Sequence, residues 1–598
     1  MYANRPFFGS RNRTRLVNKN IRPLIEYLHL FVLLILLFKA IMVVGFEKQG
    51  ELTLKDYHFY YSLLSVVTVL YLLRSVICIG FKSFHADFFV YTALGLFLFF
   101  AIILNLDKNI HLLNNEYFYS FLVAGLFIFE FSRFDIRNVA LVLNPAQLFM
   151  ISFVLLIITG TALLELPNAT TSHISFIDAL FTATSAICVT GLTVVDTATR
   201  FTSLGKSIIL TLIQIGGIGI MTFTSFFGFV FKGGASSFSE RLVLSDFFSE
   251  NNVAEIRKTL AKIIFLTLII EAMGACFVYF SLDIQYFTTI GSRVRFAVFH
   301  SVSAFCNAGF STLTDNLYDY RIRNTWSILY ILGFLIILGG LGFPILLNFY
   351  KYLKYNIIRL VTFYRYGQKK DFVPKMIHIN SRLVIYTTIF LIIIGTILFY
   401  VFEKDNTLQG MPIAGKIAHS FFGSVTPRTA GYNTVEMGRL SVACIVMTIF
   451  LMWVGASPVS TGGGIKTSTF AIAILNVFRI ARMKNHIEFH GREIHERSVD
   501  RAFAIIILSI ILLGCSALLI YIIEPSKGAL KILFECVSAF GTVGLSLGIT
   551  PYLTDASKFI LVLLMFMGRM GILTLLFAFI RRTKTSVYRY PKENIVIT

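Results

Sequence analysis

Charged side chains are scarce in this sequence. Asp, Glu, Lys and Arg together make up 14% of the 598 residues, whereas a soluble domain carries roughly a quarter. Hydrophobic residues account for 56% of the chain. The shortage of charge argues against an ordinary soluble domain and indicates a protein of the lipid bilayer.

Motifs of catalysis and cofactor binding are also missing. The seven cysteines lie in or beside apolar runs without a C-x-x-C pair, so we expect isolated thiols rather than disulfides or metal ligands. No Walker motif is present, and the apolar runs contain no H-x-x-x-H or paired acidic motif. We therefore expect neither catalytic residues nor a cofactor, which argues against a membrane enzyme.

Long apolar runs recur along the whole chain and predict an all-α, polytopic membrane protein. About twelve spans are expected, in the following runs: Leu24–Val44, Tyr60–Gly80, Phe88–Leu106, Phe118–Phe131, Pro145–Leu166, Ser207–Phe231, Ile263–Leu282, Trp326–Phe349, Leu383–Phe402, Ser441–Val454, Ala502–Ile523 and Phe559–Ile580.

Basic residues set the predicted topology. The formal net charge is +21, and the excess is concentrated at the N-terminus and in Lys351–Lys375, Arg479–Arg501 and Arg581–Lys592. The positive-inside rule places these segments, and hence both termini, in the cytoplasm of a cell-membrane protein. Nucleic-acid binding is not expected, because no folded basic domain exists to host it.

A short segment is repeated four times. S-A-I-C-V-T-G-L begins at Ser185, S-A-F-C-N-A-G-F at Ser303, V-T-P-R-T-A-G-Y at Val425 and S-A-F-G-T-V-G-L at Ser538. Each copy has a glycine at its seventh position, and these glycines are 118, 122 and 113 residues apart. Four copies in near-equal register indicate fourfold duplication.

The surroundings repeat as well. A run of 11 to 15 residues, too short to cross a bilayer, precedes each copy and predicts a half-helix: Phe176–Ala186, Arg293–Phe305, Met411–Val425 and Leu530–Phe540. The predicted unit is helix, pore half-helix, loop, helix. The expected repeats are residues 144–232, 253–352, 378–482 and 499–582, followed by a cytoplasmic tail at 583–598.

A second glycine cluster follows each copy, beginning at Gly216, Gly339, Gly462 and Gly568. Close helix packing explains the first two clusters well.

Non-helical backbone at membrane depth must line a watery cavity or be buried, because unpaired carbonyls in lipid are costly. Four loops around a pseudo-fourfold axis can replace the hydration shell of a cation with their carbonyl groups, and glycine supplies the required positive φ. The predicted filter residues are Cys188, Val189, Thr190, Gly191, Cys306, Asn307, Ala308, Gly309, Arg428, Thr429, Ala430, Gly431, Gly541, Thr542, Val543 and Gly544.

These loops, together with G-G-I-G, Gly455–Phe470 and M-G-R-M-G at Met567–Gly571, resemble the Trk/Ktr/HKT potassium-transporter superfamily. The resemblance implies four helix–pore–helix repeats around one cation path, two paired subunits and a separately encoded cytosolic ring of nucleotide-binding regulatory subunits.

The resemblance also bears on the transported ion. Sodium-favouring relatives tend to have serine at the first filter glycine, so glycine at all four positions implies selectivity for potassium. The expected function is channel-like potassium uptake down the electrochemical gradient. A secondary carrier that couples uptake to sodium or protons is the alternative, although carriers usually contain inverted rather than parallel repeats.

Gly455–Phe470 interrupts the last helix of the third repeat with Pro458, Gly462, Gly463, Gly464 and Lys466. In the family this segment is an intramembrane gate beneath the filter. A simple kink, with Lys466 reaching the cytoplasmic interface, is the alternative.

Arg569 is the sharpest single charge within a predicted span. The resemblance implies that it lines the pore near the gate, whereas a packing salt bridge with Glu271 or Glu535 is the structural alternative. Glu535 and Asp178 could instead add negative potential at the outer mouth.

Residues 1–143 hold about four extra spans outside the core pattern. We expect them to line the lipid-facing rim or the subunit contact, where Glu130 and Arg74 could pair.

Overall fold

The computed structural model describes residues 145–219, 256–287, 289–366 and 378–579, together with short pieces between residues 31 and 123. The predicted, mostly helical fold is confirmed. Within the described residues, the only sheet has two antiparallel strands, β1 (Glu488–Phe489) and β2 (Arg492–Glu493). Of the four spans predicted before residue 144, the first is described in part, as an apolar helix over Leu34–Phe46. The other three, with Arg74 and Glu130, lie almost wholly outside the described residues.

Four groups of helices follow one another along the described chain. The first two contain α1 (Pro145–Leu164), α2 (Phe176–Ile187), α3 (Thr197–Arg200), α4 (Ser203–Ile218), α5 (Ile256–Ser281), α6 (Ile290–Phe305), α7 (Trp326–Leu341) and α8 (Phe343–Tyr366). The last two contain α9 (Ile379–Glu403), α10 (Ile413–Val425), α11 (Val442–Trp453), α12 (Thr467–Ala481), α13 (Glu496–Ile523), α14 (Ala529–Gly541), α15 (Asp555–Met570) and α16 (Ile572–Phe579). We call these groups unit 1 (α1–α4), unit 2 (α5–α8), unit 3 (α9–α12) and unit 4 (α13–α16).

Three described helices are long and apolar enough to cross a bilayer: Ala261–Ser281 within α5, α9, and α13. Two bent helix pairs raise this number to five if each pair is a single span. These helices support a multi-pass membrane protein.

Two predicted spans are bent rather than straight. The pair α7 and α8 meets at 103° around Gly342, and the pair α15 and α16 meets at 93° around Gly571. Both glycines have positive φ, at 86° and 82°, a conformation that ends a helix and that glycine adopts without a Cβ clash. Apolar continuity predicted straight spans because hydropathy carries no information on chain direction.

The short helices α2, α6, α10 and α14 lie inside the protein. Each contains a fully buried phenylalanine, Phe181, Phe305, Phe422 or Phe534, and exposed large side chains such as Phe176 and Ile413 stand toward their N-terminal ends. By contrast, only 28%, 28% and 22% of the most apolar stretch of α5, α9 and α13 is buried. The long helices therefore present apolar faces outward, as lipid contact requires, around an interior of short helices.

Units 1 and 4 lie side by side although they are the first and last along the chain. Lys558 Nζ on α15 is 2.7 Å from Asp178 Oδ1 on α2. Gln147 Nε2 on α1 donates to the carbonyl oxygen of Ala578 on α16 over 3.0 Å. The last unit therefore packs against the first.

Candidate functional site

The repeated segment follows the same backbone path in all four units. We number each copy from Ser185, Ser303, Val425 or Ser538 as position 1, and we call positions 4 to 7 the loops L1 to L4. At position 7, φ is 87° for Gly191, 68° for Gly309, 78° for Gly431 and 95° for Gly544. At position 5, φ is 57° for Val189, 60° for Asn307, 76° for Thr429 and 48° for Thr542. Each loop therefore enters the left-handed region twice.

Position 5 is the unexpected part of this path. Three of its four residues are β-branched (Val189, Thr429 and Thr542), and such residues rarely adopt positive φ. Strain of this kind costs about 1–3 kcal/mol per residue and persists only where the surroundings enforce it. Nothing in the side-chain pattern signals this conformation apart from Asn307, since asparagine tolerates it best.

The four position-7 glycines close into a cycle. A β-carbon added to any one of them would overlap the position-6 carbonyl oxygen of the next loop. The pairs are Gly191 with Ala308, Gly309 with Ala430, Gly431 with Val543, and Gly544 with Thr190. The structure thus brings the predicted filter residues together, with each loop packed against the next in chain order and L4 packed against L1.

Hydroxyl groups of the short helices form hydrogen bonds to the backbone of the ring glycine or of the residue that follows it. Ser185 Oγ accepts from Gly191 N at 3.0 Å, and Ser538 Oγ accepts from Gly544 N at 3.1 Å. Ser303 Oγ donates to the Phe310 carbonyl at 2.9 Å. These contacts give the serine at position 1 of the repeated motif a physical role.

Unit 3 has Val425 at position 1 and fastens its loop differently. The neighbouring Thr426 Oγ1 donates to the Tyr432 carbonyl at 2.6 Å. In unit 3 the hydroxyl thus belongs to position 2 instead of position 1, and it binds the residue after the ring glycine, as Ser303 does in unit 2.

Side chains at position 4 point away from the cycle of glycines. Cys306 Sγ lies 3.6 Å from Glu271 Oε1 on α5. The buried Arg428 donates to the carbonyl and hydroxyl oxygens of Thr388 on α9, at 3.4 and 3.3 Å. Position 4 therefore joins L2 and L3 to the first helix of their own units.

Position-5 side chains face one another and the interrupted helix of unit 3. Asn307 Nδ2 donates to Thr429 Oγ1 at 3.0 Å, which links L2 to L3. Thr542 Oγ1 of L4 accepts from Gly463 N at 2.8 Å. The strained position thus contacts the predicted gate.

Residues 454–466 form that interruption between α11 and α12, and we call them segment 454–466. Ser457 N donates to the Gly340 carbonyl at 3.0 Å, and Gly455 N donates to the Ile465 carbonyl at 2.9 Å. Added β-carbons at Gly462 and Gly463 would strike the side chains of Thr429 and Thr542. The segment is a folded loop seated against L3, L4 and α7, and it is more than a kink.

Arg569 on α15 donates to the carbonyl oxygens of Thr461 and Gly216. In this structure Arg569 does not pair with either carboxylate of the salt-bridge alternative: Glu271 accepts from Gln214 Nε2 at 2.9 Å, and Glu535 accepts from Ser546 Oγ at 2.7 Å. Lys466 Nζ donates to the Gly462 carbonyl at 2.6 Å, within segment 454–466. Both predicted gate cations therefore bind backbone carbonyls of this region.

Acidic groups near the outer ends of the units are paired or buried. Asp178 forms its ion pair with Lys558, and Glu535 is 1% exposed. In the segment after L2, hydrogen bonds from the Arg321 guanidinium hold the pKa of Asp319 below its usual range. The ion pair with Lys558 therefore argues against free negative potential from Asp178.

Residues 115–587 match the family model described as TrkH, cation transport protein. The potassium/sodium uptake protein NtpJ of Enterococcus hirae is 36% identical over 465 residues, which cover 76% of this chain and 97% of that protein. The Ktr system potassium uptake protein B of Bacillus subtilis is 38% identical over 457 residues, which cover 76% of this chain and 96% of that protein.

The fold is similar to the crystal structure of the potassium transporter TrkH from Vibrio parahaemolyticus, with a TM-score of 0.57 and 16% sequence identity over 94% of this chain and 99% of that one. These relatives are described as transport or uptake proteins, which is consistent with a chain that is not an enzyme. The resemblance of the repeated loops is thus matched by independent similarity along most of the sequence, and the chain belongs to the TrkH family of cation transport proteins as a Trk/Ktr-type membrane subunit.

Proposed function

We propose that this chain is the pore-forming subunit of a potassium uptake system, and that K+ crosses the membrane through the ring of L1 to L4. The cyclic contact of four positive-φ glycines with neighbouring carbonyl oxygens carries this proposal. In such a ring, around a pseudo-fourfold axis, backbone carbonyls take the place of the hydration shell of the ion. Potassium is the substrate of this site.

The short helices add to the attraction. The C-terminal ends of α2, α6, α10 and α14 lead into the loops, and the partial negative charge at a helix C-terminus favours a cation. The membrane potential supplies the driving force, since one inward charge is stabilised by about 2.3 kcal/mol per 100 mV.

Two observations favour potassium over other cations. The name of Bacillus subtilis Ktr protein B specifies potassium alone. All four ring positions are glycine, whereas the resemblance associates serine at the position of Gly191 with preference for sodium.

Segment 454–466 is the proposed gate. Its hydrogen bond from Gly463 to Thr542 and its contact from the Thr461 carbonyl to Arg569 hold it against L4 and α15. Opening requires these contacts to break and the segment to move aside. A fixed guanidinium at this depth raises the barrier for cations while the gate is closed.

Regulation and assembly follow from the family. The word "system" in the names of the Bacillus subtilis Ktr proteins supports additional subunits. We infer a homodimer that carries a cytosolic ring of nucleotide-binding subunits, with both termini in the cytoplasm.

Coupling to sodium is the second candidate, because the name of the Enterococcus hirae relative includes sodium. Uptake of potassium that depends on external sodium would favour this carrier-like mechanism over a simple selective pore.

Growth rescue tests the proposal. Cells that lack potassium uptake should grow at low external potassium when they express this chain together with a candidate cytosolic partner, and grow less well without the partner. Absence of rescue in both conditions, with the protein present in the membrane, would contradict potassium uptake through this ring.

A further inference from the structure

In units 2 and 4, a titratable side chain of the short helix is hydrogen-bonded to the segment that follows the ring glycine. His300 on α6 and Glu535 on α14 occupy the same place, three residues before position 1. Each is hydrogen-bonded to a serine two residues beyond the ring glycine, Ser311 or Ser546, eleven residues along the chain. We call these two pairs the braces.

The brace of unit 4 is a carboxylate with three donors. Glu535 Oε1 accepts from Ser546 Oγ at 2.7 Å and from Leu547 N at 3.0 Å, while Oε2 accepts from Thr550 Oγ1 at 2.7 Å. All three donors belong to the stretch that follows Gly544. Because Glu535 is 1% exposed, water cannot replace these bonds, so the stretch is held at a fixed distance from α14.

The brace of unit 2 uses an imidazole. His300 Nδ1 lies 2.9 Å from the Phe296 carbonyl, which can only accept, so Nδ1 carries the proton. In the neutral ring Nε2 then accepts from Ser311 Oγ at 3.0 Å. Ser311 Oγ in turn accepts from Leu313 N at 3.0 Å, so this bond also fixes the chain beyond the glycine.

Units 1 and 3 have different side chains at this place. Thr182 on α2 turns its hydroxyl back to the Asp178 carbonyl at 2.8 Å, and Phe422 on α10 has no polar side-chain atom. Since the ring closes in the order L1, L2, L3, L4, the two braced loops stand opposite each other.

We propose that His300 and Glu535 are positioning residues that set the discrimination of the ring between K+ and Na+; this inference rests on the proposed potassium uptake. Na+ is smaller than K+, so its coordination requires carbonyl oxygens to move inward or water to fill the gap. Two opposed braces anchored in buried helices resist inward movement along one diagonal of the ring. Loss of a brace lets the ring contract around Na+.

Uptake by the purified full-length chain in liposomes, together with its cytosolic partner if wild-type activity requires it, tests this proposal. The ratio of Na+ to K+ uptake and the half-saturating K+ concentration are measured for His300→Phe, Ser311→Ala, Glu535→Leu and Ser546→Ala. His300→Phe keeps an aromatic ring to stack on Phe296, whose ring centroid lies 3.8 Å from that of His300. Thr182→Val, at the same place in unit 1, is the matched control.

The ratio of Na+ to K+ uptake should rise about threefold to tenfold in His300→Phe and Ser311→Ala, the range that corresponds to one lost brace hydrogen bond. It should rise at least as much in Glu535→Leu, which loses three hydrogen bonds. It should rise less in Ser546→Ala, because Glu535 keeps two donors. Glu535→Gln should restore a ratio near that of the wild type, since an amide still accepts from Leu547 N. Thr182→Val should leave the ratio unchanged.

Ratios within twofold of wild type in every brace variant, with K+ uptake retained, would overturn the braces as determinants of selectivity. If His300→Phe or Glu535→Leu does not fold, the serine variants decide, because Ser311→Ala removes the bond to His300 and Ser546→Ala removes one of the three bonds to Glu535 without altering a short helix. Wild-type protein that takes up no K+ would overturn the proposed function itself, and the brace proposal with it.

Discussion

The loops L1 to L4 are alike, whereas the first long helices that follow them (α4, α7, α11 and α15), which we call the second helices of the four units, are not. All four loops keep positive φ at positions 5 and 7, although their side chains range from cysteine to arginine at position 4. The second helices of units 1, 2 and 4 end at a positive-φ glycine, whereas unit 3 inserts segment 454–466. The similarity of the loops suits the proposed ring, and the single departure among the helices suits the proposed gate.

The packing of the second helices makes this contrast sharper. Gly216, Gly339 and Gly568 each lie against the carbonyl of the position-3 residue of their own unit, so closely that a β-carbon would overlap it. The next residue is Gly217 in unit 1, Gly340 in unit 2 and Arg569 in unit 4. The arginine that holds segment 454–466 therefore stands where two other units have glycine.

The largest effect should follow from replacing one of the four ring glycines, which makes one loop different from the other three. Gly309→Ala places a β-carbon on the Ala430 carbonyl at a φ of 68°, and we expect potassium uptake to fall on the order of a hundredfold from strain and backbone overlap. Gly528→Ala is the matched control, since Gly528 has a φ of 82° with open space around it. Equal uptake by both variants would show that the cycle of glycines does not matter.

Shortening segment 454–466, the feature by which unit 3 differs from the other units, should have the next largest effect. Deletion of Gly462–Gly464 should raise basal K+ flux about tenfold, because the closed state loses the hydrogen bond from Gly463 to Thr542 and the support for the Thr461 contact. Arg569→Gln should act in the same direction. Flux through liposomes is the measurement, with Arg321→Gln as control; unchanged flux in the deletion would contradict a gating role for the segment.

Gly191→Ser should change selectivity as well as lower total uptake, because Gly191 meets the same steric conflict as Gly309. A side chain here pushes L1 away from the Ala308 carbonyl of L2, so the ring loses its fit to K+, and we expect the ratio of Na+ to K+ uptake to rise about fivefold. Competition between the two ions in uptake experiments measures this ratio. The assignment of L1 to the filter fails if the ratio stays at the wild-type value.

The contact that joins unit 4 to unit 1 should have the smallest effect. Lys558→Met removes the partner of Asp178, whose oxygen lies 2.7 Å from the ammonium nitrogen. We expect a loss of about 1 kcal/mol in the free energy of unfolding, because the pair is only partly buried. A double-mutant cycle with Asp178→Asn measures the coupling, and additivity of the two substitutions would contradict it.

Much of the ring could be predicted, because its glycines and the spacing of the four copies are visible in the sequence. The predicted half-helices match α2, α6, α10 and α14 to within three residues at each end. The need for positive φ at Gly191 and its three equivalents followed from the repeat, since glycine is selected there by sterics.

Features that depend on tertiary contacts escaped prediction. Positive φ at Val189, Thr429 and Thr542 opposes local preference and is imposed by packing. The bends at Gly342 and Gly571 interrupt runs that hydropathy treats as continuous. The partners of Arg569 are backbone carbonyls of residues 108 and 353 positions away, and no side-chain pattern identifies a carbonyl as a partner.

The position of the bound ion tests the central claim most directly. A structure determined with Tl+ or Rb+ in place of K+ should show the ion on the axis enclosed by the carbonyl groups of Thr190, Ala308, Ala430 and Val543. An ion bound elsewhere, such as beside Glu271, with no density inside the ring, would contradict transport through L1 to L4.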